Sequence, residues 1–134
     1  MWLQTRIIVT TVLTCAGFLS LSNTAGAQPV VEKLGRGVVA VRSGETSAYV
    51  GWRLLGTDPV GTGFNLYRAT GARRPTRLNQ ALLTKTTDFV DTTLDPRVVN
   101  SYTVRAVVGG RELAPSAPFV LPPNAPIQIG RAHV

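Results

Sequence analysis

Cysteine, histidine and acidic side chains are scarce in this chain of 134 residues, which holds one Cys, one His and seven Asp or Glu. The Cys is Cys15, inside an apolar N-terminal run, so everything downstream lacks a disulfide, a thiol nucleophile and a thiolate metal ligand. The His is His133, the penultimate residue, and no nucleophile–base pair can be built around it. Long hydrophobic runs are missing too. The uncharged, largely apolar stretch from Ile7 to Leu21 falls short of the roughly 20 residues that a membrane-spanning helix needs. No Asp-x-Asp-x-Asp calcium loop occurs. The glycine pairs Gly35-Arg36-Gly37 and Gly61-Thr62-Gly63 lack the strand-to-helix setting of a nucleotide loop, which leaves them as turns.

What is present begins with an address. Arg6, the apolar run and then Ala25-Gly26-Ala27 have the layout of a secretory signal peptide, so residues 1–27 are expected to be removed after Ala27. A lipid-anchored Cys15 is rejected, because Thr14 is a poor residue before it and little apolar run lies upstream. Export without disulfides suits a bacterial periplasm or the medium. The remaining chain is one domain's worth, enough for a single modest core. The full sequence carries a formal net charge of +7, of which Arg6 supplies one, and this basic balance favours polyanions such as pectin-like sugars, nucleic acid or a bacterial surface.

Strands dominate the pattern. The runs 37–42, 48–55, 63–69, 89–92, 101–108, 111–114 and 118–121 are β-rich and separated by Gly, Pro, Asp and Asn. Alternation puts Ala48, Val50, Trp52 and Leu54 on one face, opposite Tyr49, Gly51 and Arg53. Phe64 is in phase with Leu66, and Tyr102 with Val104, Ala106 and Val108. One dry and one wet face per strand is the mark of an antiparallel sandwich. The expected core is therefore Val50, Trp52, Leu54, Phe64, Leu66, Leu94, Tyr102 and Val104, and Gly109-Gly110 is expected to close a two-residue hairpin. Tyr49 and Tyr67 fall out of phase, at the surface. An exposed Tyr can stack on a sugar ring, although scattered exposed aromatics are ordinary.

The run from Val38 to Leu121 resembles a fibronectin type III domain, on the Trp of the second strand, on "GFNLYR", and on "FVDTTLDPRVVNSYTVRAVV". The implied fold is an all-β, immunoglobulin-like antiparallel sandwich of about seven strands, over residues 28–121. Tyr102 then looks like the tyrosine corner that pins the connection across the sandwich. A narrower resemblance reaches further. "VEKLGRGVVAVRSG", "YVGWRLLGTDPVGTGFNLYR", "LNQALLTKTTDFVDT" and "NSYTVRAVVGGRE" are similar to the N-terminal β-sandwich of secreted bacterial rhamnogalacturonan lyases. In that family the sandwich precedes a large catalytic propeller that holds calcium and cleaves the pectic backbone by β-elimination.

That resemblance implies an accessory domain with no catalytic residue and no cofactor of its own, whose partner is its own catalytic propeller. Calcium would belong to the propeller, pectic polysaccharide would be a second partner, and neither nucleic acid nor a membrane anchor is expected. Residues 122–128 look like the start of a linker to the propeller. "IGRAHV", residues 129–134, reads as a translated sequencing-library adapter, so the natural chain is expected to continue past it. The alternative is a free-standing exported sandwich for carbohydrate binding or adhesion.

Few residues are candidates for a site. "GARRPTR" forms a basic loop whose Arg73, Arg74 and Arg77, together with Tyr67, are the expected substrate contacts, against the plainer reading of a solvated loop. Lys33, Arg36 and Arg53 are open to the same two readings. Asp88, Asp91 and Asp95 would hold calcium only if they converged, and Asp beside a strand more often serves as a turn or cap residue, so no metal site is assigned.

Overall fold

Turn residues set the strand boundaries of the computed structural model, which describes residues 35–128. The signal-peptide and adapter assignments, and Lys33, lie outside the described residues. Eight segments form two antiparallel sheets: β1 (Val39–Arg42), β2 (Ala48–Gly51), β3 (Gly63–Thr70), β4 (Thr76–Arg77), β5 (Asp88–Asp91), β6 (Asn100–Val108), β7 (Arg111–Glu112) and β8 (Phe119–Leu121). One sheet has the order β1-β2-β5. The other has β4-β3-β6-β7, with β8 also paired to β6.

β7 and β8 are two parts of one edge. β7 pairs with Val107 and Val108 of β6, whereas β8 pairs with Asn100, Ser101 and Tyr102. Between them Pro115 and Pro118 offer no N–H to a ladder, which interrupts the strand and blunts the edge against pairing with another chain. Seven strand positions are thus filled by eight segments. The hairpin from β6 to β7 turns on Gly109 and Gly110, at φ 56° and 77°, the left-handed pair that a tight two-residue turn requires.

Side chains from both inner faces meet in one core. Val50, Trp52, Phe64, Leu66, Leu94, Tyr102 and Val104 are all buried, joined by Ala48 and Ala106. Trp52 meets Phe64 edge-on, with centroids 5.7 Å apart and planes at 63°, which answers to the ring quadrupoles. Leu54 departs from expectation: it is 63% exposed. β2 ends at Gly51, and after Arg53 the chain leaves its neighbours for the turn around Gly56–Asp58, so the period-two phase stops applying. Val108 is likewise only half-buried, and its neighbour Val107 is buried instead.

One further correction concerns a connection. The Tyr102 hydroxyl donates to Asp91 Oδ2 at 2.9 Å, across the sandwich to the other sheet, and does not bond upstream backbone as a tyrosine corner would. Asn100 pins the β5–β6 connection in its place, with its amide donating to the carbonyls of Asp95 and Val98 at 2.8 and 2.9 Å. Part of the segment 122–128 runs beside β1. Ala125 is buried, Ile127 bridges to Arg42 in parallel, and the Gln128 N–H donates to the Arg42 carbonyl at 2.8 Å.

Candidate functional site

The expected basic loop is a hairpin. β3 and β4 pair Tyr67 with Arg77 and Arg68 with Thr76, and Gly71, at φ 57°, helps the chain reverse between them. The turn between these strands carries Arg73 and Arg74, whereas Arg77 belongs to β4. Arg77 lies beside Tyr67 on the outer face of the larger sheet, while Arg73 and Arg74 rim a groove of about 570 Å³ at the end of the sandwich.

Arg68 floors that groove from the inner face of β3. Its Nη1 donates to Asp91 Oδ2 at 2.5 Å and to Thr93 Oγ1 at 3.2 Å, and its Nε donates to Thr70 Oγ1 at 3.1 Å. With 12% of the side chain exposed, the guanidinium is held by three oxygens from three segments. Asp91 is fully buried and serves both Arg68 and Tyr102, so one carboxylate ties the two sheets together. Burial first, and then the Asp91 charge, push the Tyr102 phenol far above the usual range.

Tyr67 sits in a polar network on the outer face. Its hydroxyl donates to Glu112 Oε1 at 2.7 Å, Asn65 donates to the same oxygen at 3.0 Å, and the Arg105 guanidinium stands 5.3 Å from the ring centroid. These bonds hold the Glu112 carboxyl below its ordinary range and push the Tyr67 phenol up. The ring face is covered by Arg105, so Tyr67 is engaged with its own sheet. Tyr49, on the smaller sheet, donates to Asp88 at 3.0 Å and remains 42% exposed.

The three carboxylates Asp88, Asp91 and Asp95 do not converge. Asp88 faces Tyr49 and Thr86, Asp91 faces Arg68 and Tyr102, and Asp95 faces Arg97. Among the described residues no group of three His, Cys, Asp or Glu side chains is placed to hold a metal ion. These residues therefore do not fit a calcium site.

Arg36 and Asp58, which the sequence did not connect, form a further buried pair. Arg36 Nη2 donates to Asp58 Oδ1 at 2.6 Å, Nη1 donates to Oδ2, and the guanidinium stacks 5.1 Å from the Phe64 centroid. Asp58 also accepts from the Leu55 N–H at 2.7 Å. Asn79 was missed as well: its Oδ1 accepts from the Leu66 N–H at 2.8 Å, continuing the edge of β3 where β4 has ended. No helix among the described residues is long and apolar enough to cross a membrane.

Comparison with known proteins places these features in a context. Residues 29–120 match the family described as the rhamnogalacturonan I lyases beta-sheet domain. The rhamnogalacturonan endolyase YesW of Bacillus subtilis is 41% identical over 87 residues, covering 65% of this chain and 13% of that enzyme. This chain thus corresponds to a small part of the enzyme's length. Among solved structures, a Fn3-like protein from Clostridium thermocellum superposes with a TM-score of 0.52 at 26% identity, over 63% of this chain and 84% of that one. The third fibronectin III domain of the human KIAA0343 protein gives 0.53 at 20% identity, over 75% and 86%. The fold is a fibronectin type III sandwich.

Proposed function

The chain belongs to the family of rhamnogalacturonan I lyase beta-sheet domains, and on that footing we propose that it is a non-catalytic accessory domain of an exported rhamnogalacturonan lyase. The observation that carries this reading is the match itself. It runs through both sheets, yet corresponds to only 13% of the endolyase it resembles. The chemistry of the described residues supports the same reading. β-Elimination needs a base to take the proton beside the uronate carboxylate and groups to hold the charge that develops there. Tyr49, Tyr67 and Tyr102 are all pushed toward the protonated form, the wrong direction for a base.

On this reading the base and the calcium of the family's reaction belong to a catalytic propeller outside this domain, and the domain's partner is that propeller. Export follows from the signal-peptide layout of residues 1–27. A swap tests the proposal. Residues 29–120 of this chain, exchanged for the matched segment of the Bacillus subtilis endolyase, should leave a soluble enzyme that still cleaves rhamnogalacturonan. An equally sized fibronectin type III domain from outside the family should not substitute. Inactivity or insolubility of the first chimera, with the parent enzyme active, would overturn the assignment.

A further inference from the structure

Three features stand outside the functions assigned so far: an apolar row on the smaller sheet, a cleft beside Lys85, and the groove at the end of the sandwich. The row sets Val41, Tyr49 and Val90 side by side, with Val39 next to it. Nothing on that face specifies what covers it. The cleft of about 650 Å³ lined by Leu54, Val60 and Lys85 has one cation, Lys85, among the described residues. The groove is different, because its donors are fixed in place.

We propose that this groove is a carboxylate-binding subsite for a uronate-containing polysaccharide, with Arg68 as its floor and Arg73 and Arg74 as its rim. Arg68 is held by Asp91, Thr93 and Thr70 through Nη1 and Nε, while Nη2 has no hydrogen-bond partner among the described residues. A guanidinium locked by its own partners, with one nitrogen left free, meets an anion without the entropy loss of an unanchored side chain. Its charge is balanced by Asp91. Asp95, the carboxylate in the groove's lining, is engaged by Arg97 at 3.0 Å. Arg73 and Arg74 have no acidic partner among the described residues, so the rim carries the unbalanced positive charge.

The lining favours a sugar over a protein surface. Thr70, Thr76 and Thr93 border the groove with hydroxyls, and its apolar side chains are small, Ala72 and Val98. A protein partner of the usual kind would bury larger apolar or aromatic anchors. The volume suits one or two sugar units. The choice of polysaccharide rests on the accessory-domain reading, since a rhamnogalacturonan chain carries a carboxylate on each galacturonate.

Calorimetric titration of the full chain with oligogalacturonates, and with the same oligomers carboxyl-reduced to neutral sugars, tests the subsite. The acidic oligomers should bind, more weakly as salt rises, and the reduced ones should not. Arg73→Ser with Arg74→Ser should weaken binding by about tenfold or more, while Arg77→Ser, on the other face, should change it by less than about twofold. Unchanged melting temperatures would exclude misfolding of these exposed variants. Absence of binding, equal binding of the reduced oligomers, or an equal loss with Arg77→Ser would overturn the proposal. Binding of an acidic peptide but not of the oligomers would overturn it as well, and would give the groove to a protein carboxylate. Lost binding beside an active chimera would sink the subsite alone, whereas retained binding beside a failed chimera would sink the accessory assignment.

Discussion

Arg36 closes its guanidinium around the carboxylate of Asp58, and in doing so joins the two most distinctive stretches of the sequence, "KLGRGVVAV" and "GWRLLGTDP". The side chains are only 13% and 7% exposed, and the Arg36 carbonyl also accepts from the Arg53 N–H at 2.8 Å. A pair of charges this far from water is secure only while both members are present. Asp58→Asn or Arg36→Ala should therefore lower stability by about 2–4 kcal/mol, measured by denaturant unfolding.

The same pair sets an acid limb. The Arg36 hydrogen bonds hold the Asp58 carboxyl below its ordinary range. A depressed folded value means the stabilisation is fully present above the unfolded value, near pH 4, and is lost as pH falls through the folded one. Melting temperature should drop between pH 4 and more acid conditions in the natural chain. In Asp58→Asn that drop should be shallower, because the folded-state preference for the ionised form is gone.

Trp52 gives a test of the core with an internal contrast. Its ring is buried against Phe64, yet Nε1 has no hydrogen-bond partner among the described residues. Trp52→Ala should cost about 3–5 kcal/mol. Trp52→Phe loses volume but also removes a buried orphan donor, so its cost should stay below about 2 kcal/mol. Equal losses from the two would mean that Nε1 is satisfied by water in solution.

At high pH the phenols take over. Tyr102 holds its proton far above the usual range, because burial and Asp91 both oppose the phenolate. Above about pH 10 the unfolded chain releases that proton while the folded chain keeps it, so stability falls as pH rises. Tyr102→Phe should flatten this alkaline decline while costing about 1 kcal/mol at neutral pH for the lost hydrogen bond to Asp91. Tyrosinate absorbance followed alongside unfolding would check both.

Strand positions and most of the core were legible because period-two alternation and turn residues are local signals. Val50, Trp52, Phe64, Leu66, Tyr102 and Val104 follow from phase alone. Leu54 did not, since phase has meaning only while the strand continues, and β2 stops at Gly51. The division of "GARRPTR" into groove and outer face needed the β3–β4 pairing, which a proline-containing basic loop did not advertise. Arg36–Asp58, Asn79 and Asn100 act through bonds to residues that only tertiary folding brings near. A polar side chain inside a glycine- or proline-rich stretch reads as a turn residue until its partner is known.

The assignment of the domain as non-catalytic is tested most directly by incubating the purified chain with rhamnogalacturonan and calcium and following the absorbance of the unsaturated uronate that β-elimination creates. No increase over the polysaccharide alone is expected, with the Bacillus subtilis endolyase as a positive control in the same buffer. A steady increase proportional to the concentration of the chain, surviving repurification, would contradict it.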